Sequence, residues 1–111
     1  MYEQKEIVLM PFPYTDLTSY KLRPALIISN KFLNKTEDRI CCLITSVQTK
    51  GGFEIEKKFV EDGKLPFKSW IKPYRIFTIN EKIIKKKLCT ISDDFYDLVL
   101  KEVSKFLNRD Y

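Results

Sequence analysis

Arg23 is followed by Pro24 at the head of an apolar run, Ala25 to Ile28. Proline holds the residue before it in an extended conformation, so the direction of the arginine is set in advance. Its planar guanidinium fork suits a phosphate, although an arginine at a strand end can equally be serving only to reach water. Thr45 and Ser46 close another apolar run in LITSVQ. They are either ordinary strand-end polarity or, if the two strand ends are neighbours, partners of Arg23 in a small phosphate-binding cluster, with Gln48 adding a contact to a base edge. A third group lies in KLPFKSWIKPYR, where Lys64, Lys68, Lys72 and Arg75 interleave with Phe67, Trp70 and Tyr74. Single-stranded nucleic acid needs this combination of cations for its backbone and ring faces for unstacked bases, each stacked base contributing ~1–3 kcal/mol. The plainer alternative is a snorkelling surface loop with Trp70 buried. Lys85, Lys86 and Lys87 form a charge run of the kind that is more often solvated than specific.

Composition narrows the chemistry further. The 111 residues suit one domain with a single core, spanning 1–111. Hydrophobic residues at 44% and charged residues at 32% are those of an ordinary globular protein rather than a disordered one. Twenty Lys and Arg against fifteen Asp and Glu give +5, which favours an anionic partner such as nucleic acid, an acidic protein or a membrane surface. Histidine is absent, removing the commonest general base and a common metal ligand. Cys41, Cys42 and Cys89 have no CxxC spacing, and neighbours on a strand point to opposite faces, so neither a zinc site nor a 41–42 bridge is expected. Reduced thiols, no signal-like start and no apolar run of ~20 residues lead to the expectation of a cytoplasmic protein outside the membrane. No glycine-rich phosphate loop, metal-spaced carboxylate set or Ser/His/Asp constellation can be assembled.

The elements that must position these residues read mainly as strands. EIVLMPF (Glu6 to Phe12) is apolar on both faces, and Pro11 and Pro13 bar its continuation in a central ladder. Tyr14 to Lys21 reads as a polar loop, Arg23 to Asn30 as the second strand and Arg39 to Ser46 as the third. Gly51 and Gly52 make a turn, and FEIEKKF (Phe53 to Phe59) alternates as a half-exposed strand should. EDGKLPFKSW reads as a second loop, followed by two short strands near Trp70 to Lys72 and Arg75 to Ile79. Glu81 to Lys87 fits either a helical turn or a strand edge, and Leu88 to Ile91 a last strand. Ser92 is a good N-cap, with Asp93 and Asp94 at the positive end of the dipole. Phe95, Leu98, Val99, Val103, Phe106 and Leu107 then mark one helical face. Many short strands closed by an amphipathic helix predict a mainly β fold, a small bent barrel with a packed C-terminal α-helix.

The order EIVLMPFPYTDL, RPALIISN, LITS, GKLPFKSWIKPYRIFTI and KLCTISDD before a helix closely resembles the MazF/PemK family of toxins from bacterial toxin–antitoxin modules, over almost the whole chain. The resemblance implies an SH3-like or CcdB-like barrel, a homodimer, and neutralisation by an acidic antitoxin protein. It also implies growth inhibition through metal-independent, cofactor-free, sequence-specific cleavage of single-stranded RNA, usually mRNA. In the family the arginine of the R-P motif and the hydroxyl residue ending the third strand are central to cleavage, which maps onto Arg23 and Thr45. Ser46, Gln48, Lys68, Trp70, Lys72 and Tyr74 then become supporting or RNA-binding positions, with Tyr14 and Lys21 in a loop that borders the site. Two positions depart from the family pattern. Tyr74 stands where an aspartate is common, leaving the general base unassigned, and Lys5 stands where glycine is frequent. The rival expectation is a non-catalytic module on the same barrel, either a CcdB-like topoisomerase poison or a decayed relative that only pairs with an antitoxin.

Overall fold

The computed structural model describes residues 1–13 and 20–110. Seven strands form one antiparallel sheet: β1 (Glu6–Pro13), β2 (Tyr20–Ile27), β3 (Asp38–Thr45), β4 (Phe53–Glu54), β5 (Val60–Gly63), β6 (Trp70–Asn80) and β7 (Lys86–Ile91). Their order across the sheet is β4-β6-β3-β2-β1-β7-β5. Helix α1 (Lys31–Asn34) is one turn between β2 and β3, and α2 (Asp93–Leu107) closes the chain. The sheet curls into a half-barrel, the mainly β fold with a C-terminal helix that the sequence predicts.

Both faces of the central strands are buried, as their unbroken apolar runs require. Ile7, Leu26, Cys42, Ile44, Ile71 and Ile91 pack on one face with Phe95, Val99 and Val103 of α2. Val8, Met10, Ala25, Ile27 and Cys41 fill the other, beneath Phe12, Phe77 and Ile79. Cys41 and Cys42 thus serve opposite faces, and burial pushes both thiols up to about 12 and that of Cys89 to about 11, which leaves all three unreactive.

Several boundaries differ from those read in the sequence. β2 starts at Tyr20 and stops at Ile27, so Lys21 lies on a strand, paired with Phe12. Asn30 instead caps α1, its side chain accepting from the Phe32 N–H. FEIEKKF is not one strand: β4 ends at Glu54 and a 3₁₀ turn at Lys57–Phe59 follows. The chain is then carried to the opposite edge, where β5 pairs with β7 through Val60↔Ile91 and Gly63↔Cys89. The stretch expected as a pure loop therefore begins with an edge strand. Gly63 makes this close approach possible, since at φ +102° a Cβ would sit 2.2 Å from the Leu88 carbonyl. The two short strands around Pro73 are one, β6, with Pro73, Tyr74 and Arg75 bulged out between the pairs Leu43↔Lys72 and Cys42↔Ile76. A bulge accommodates the proline because it has no ladder bond to donate there.

Helix α2 begins as expected, with the Ser92 hydroxyl accepting from the Phe95 N–H at 3.2 Å. Its apolar face is only partly covered: Leu98, Phe106 and Leu107 stay exposed, while Tyr96 is buried instead. The Tyr96 hydroxyl donates to the Ile28 carbonyl (2.7 Å) and accepts from Gln4 (2.8 Å), which satisfies it inside the core.

Lys5 is the sole non-glycine residue of the described chain in the left-handed region, at φ 77°. Its N–H donates to the Ile27 carbonyl and its own carbonyl accepts from Ile91, so the ladder on both sides holds it there. Left-handed backbone costs a residue with a side chain roughly 1–2 kcal/mol, and glycine would relieve it. Glycine would also add about 0.5–1 kcal/mol of unfolded-chain entropy and lose the exposed ion pair of Lys5 with Asp93. These effects nearly cancel, so Lys5→Gly should leave urea-unfolding stability within about 1 kcal/mol of the parent. A loss above about 2 kcal/mol would show that the strain argument is wrong.

Candidate nucleic-acid site

Register puts Arg23 and Thr45 at neighbouring strand ends. Arg23 pairs with Met10 on β1, and β2 pairs with β3 through Ala25↔Leu43. Arg23 and Thr45 each lie two residues beyond that last pair, in opposite chain directions. The paired ladder stops at Ala25↔Leu43, and side-chain alternation beyond it puts both residues, at neighbouring strand ends, on the face that carries Met10, Ala25 and Leu43. Thr45 pairs with Trp70 and Leu43 with Lys72 on β6, which sets Trp70 and Lys72 along the same face. One surface thus offers a guanidinium, a hydroxyl, an ammonium and an indole, drawn from three adjacent strands.

The Thr45 hydroxyl accepts from the Val47 N–H at 3.2 Å. That bond turns the chain at the strand end and leaves the hydroxyl proton to donate elsewhere. Lys68 places its Nζ 5.8 Å from the centre of the Trp70 ring and 4.0 Å from Glu54, so the indole is backed by a cation at the sheet edge.

Other expected residues fall elsewhere. Ser46, next to Thr45, lines a cavity of about 390 Å³. Leu9, Leu22, Pro24, Ile44, Leu88 and Arg23 also form its wall, so the two hydroxyls of the Thr-Ser pair part company and Arg23 borders both regions. Gln48 is exposed in the turn after β3. Tyr74 is turned to α2: its ring meets Phe106 edge-on at 5.5 Å, and its hydroxyl reaches the Lys50 carbonyl at 3.4 Å. Tyr14, with most of the loop that contains it, lies outside the described residues, whereas Lys21 lines the cavity.

Lys86 and Phe12 went unread in the sequence as parts of a site. Lys86, seen there as one of a solvated run, lines the same cavity, while Lys87 is engaged by Asp62 (2.8 Å) and Glu6 (3.7 Å). The alternation of side chains along β7 separates them, a signal available only once that segment is known to be a strand. Arg75 stacks over Phe12 at 5.5 Å, and Phe12 lies edge-on to Phe77 at 5.3 Å, extending cation-and-ring character beyond Trp70. Among the described residues no three Asp, Glu or Cys side chains gather in a way that could hold a metal ion. No described helix is long and apolar enough to cross a membrane.

Residues 3–107 match the sequence profile of the PemK-like, MazF-like toxins of type II toxin–antitoxin systems, and the chain belongs to that family. No curated protein matches its sequence. Its fold is similar to that of a mycobacterial endoribonuclease solved in complex with its cognate antitoxin, with TM-score 0.78, 14% identity, and coverage of 100% of this chain and 99% of that one. It is similar also to MazF in a MazE–MazF crystal from Deinococcus radiodurans, with TM-score 0.71, 17% identity and 98% of each chain covered. The Mycobacterium tuberculosis toxin MazF-mt6 aligns with TM-score 0.73 and 13% identity over 96% of this chain and 99% of that one.

Proposed function

We propose that this toxin is a metal-independent endoribonuclease that cuts single-stranded RNA at a specific sequence, and that an acidic antitoxin neutralises it. The observation that supports this reading is that Arg23 and Thr45 belong to neighbouring ends of β2 and β3, each two residues beyond the pair Ala25↔Leu43. RNA brings its own nucleophile. The 2′-hydroxyl oxygen attacks the neighbouring phosphorus and loses its proton, the bond from phosphorus to the 5′-oxygen breaks, and that oxygen takes up a proton. The products are a 2′,3′-cyclic phosphate and a 5′-hydroxyl, with no covalent enzyme intermediate.

Charge accumulates on the non-bridging oxygens as the phosphorane forms. Arg23 can meet them with a bidentate fork and Thr45 with its free hydroxyl proton, both fixed by strands rather than by loops. Lys72 adds positive charge one row further along the face, and Trp70 offers a ring to an unstacked base. The protein acts in the cytoplasm as a homodimer, in keeping with the apolar residues Leu98, Leu100, Phe106 and Leu107 left exposed on α2. Purified chain incubated with a long RNA in excess EDTA should produce discrete fragments bearing 5′-hydroxyl ends within one recurring sequence. RNA that stays intact, with the protein folded, would instead identify a non-catalytic module on the same barrel.

A further inference from the structure

The cavity beside Arg23 has a lining unlike the rest of the surface. Lys21, Arg23 and Lys86 supply three cations, Ser46 and Ser69 two hydroxyls, and no carboxylate is among its lining residues. Its floor is apolar, formed by Leu9, Leu22, Pro24, Ile44, Leu65 and Leu88. Phe67 stands over it with 72% of its surface exposed, an unusual position for a phenyl ring. The ring's placement is built: Gly63 lets β5 dock tightly on β7, the Lys64 N–H donates to the Leu88 carbonyl, and the Ser69 hydroxyl donates to the Phe67 carbonyl at 2.8 Å. The backbone that carries Phe67 is therefore anchored on both sides.

We propose that this cavity holds a single unstacked base of the RNA strand, adjacent to the phosphate gripped by Arg23 and Thr45, and that Phe67 is the residue on which the base stacks. The inference rests on the ribonuclease reading and deepens it by assigning one base subsite. A nucleotide joins a flat apolar face to an anionic backbone, and the cavity pairs an apolar floor and a free ring with three cations at its wall. Because Arg23 borders both the cavity and the Thr45 face, a strand whose phosphate lies on Arg23 needs to turn out only one base to fill it. Ser46, exposed at the wall, is placed to hydrogen-bond the edge of that base, whereas Ser69 is buried with its proton committed to the Phe67 carbonyl. Ser46 makes the subsite a determinant of sequence preference as well as affinity. The competing occupant is an acidic peptide segment carrying one apolar side chain.

The test uses a random pool of short 2′-O-methyl RNA, which lacks the nucleophile and so reports binding apart from cleavage. Phe67 is exposed, so Phe67→Ala should leave the thermal melt unchanged while weakening binding to the pool by about tenfold to a hundredfold. Sequencing the bound fraction should show a base bias at one position that the parent has and Phe67→Ala lacks. Lys86→Gln should lower the slope of log Kd against log salt by about 0.7, one phosphate contact on a single strand. Equal pool binding and equal base bias in parent and Phe67→Ala overturn the proposal, as does a Phe67→Ala defect confined to binding of an acidic peptide. A parent that binds the pool with this bias yet fails to cut unmodified RNA upholds the subsite and refutes only the nuclease activity.

Discussion

Arg23→Ala should lower the rate of RNA cleavage by about 10²–10³, or roughly 3–4 kcal/mol of transition-state stabilisation, with far-UV circular dichroism like that of the parent. The size follows from where the charge sits. The arginine faces oxygens that become more negative only as the phosphorane forms, so its loss should appear chiefly in kcat. Arg23→Lys keeps the charge but loses the fork, and should recover part of the rate and not all of it. Thr45→Val removes the hydroxyl from a nearly isosteric side chain and should cost about tenfold to a hundredfold, the range for a hydrogen bond to a charged group. If both groups serve one phosphate, the double variant will be scarcely slower than Arg23→Ala, because removing either spoils the same clamp. Additive losses would mean that the two act at separate phosphates. Growth inhibition that survives Arg23→Ala would remove the arginine from the mechanism.

Legibility in the sequence followed the range of the signals. The first three strands and α2 could be read because each carries a local pattern: apolar runs for β1 to β3, and an N-cap with acidic residues and 3.6-residue periodicity for α2. Arg23 and Thr45 stood out because proline and an adjacent hydroxyl mark them locally. What could not be read depends on pairing between distant segments. β4 reads too long, to Phe59, because Phe53 to Phe59 alternates well, and β5 reads as loop because its decisive contacts, Val60↔Ile91 and Gly63↔Cys89, lie far away in sequence. Lys86 could not be told from Lys85 and Lys87 before β7 was placed beside β1. The bulge at Pro73–Arg75 turns Tyr74 to α2, a change of direction that residue spacing does not reveal. The face expected on α2 was overestimated for a related reason: periodicity identifies Phe106 and Leu107 as apolar without saying whether the sheet extends far enough to cover them.

Arg39 shows the same limit at the level of stability and should give the largest folding defect. Its side chain is wholly buried, which arginine tolerates only when its donors are met. Here Nε donates to the Tyr2 carbonyl (3.0 Å), one terminal nitrogen to the Thr36 and Asp38 carbonyls (both 2.8 Å), and the other to Glu81 Oε1 (2.9 Å). One guanidinium thus ties the N-terminal segment and the turn before β3 to the 3₁₀ turn after β6. Arg39→Met preserves most of the apolar bulk but strips the donors from three carbonyls, and should destabilise by about 3–5 kcal/mol, the range for breaking a buried ion pair. Against a typical total of about 5–15 kcal/mol, that would move the urea midpoint far down or leave the chain partly unfolded at 37 °C. Arg39→Lys should fare little better, because one ammonium cannot span carbonyls that lie in three directions. Glu81→Gln keeps an acceptor near the guanidinium and removes only the carboxylate charge, at a site where Glu81 is partly open to water, so its loss should be clearly smaller. If Glu81→Gln instead matches Arg39→Met, the carboxylate rather than the carbonyl network holds the arginine, and the three-way tie through backbone oxygens is not what stabilises this corner of the sheet.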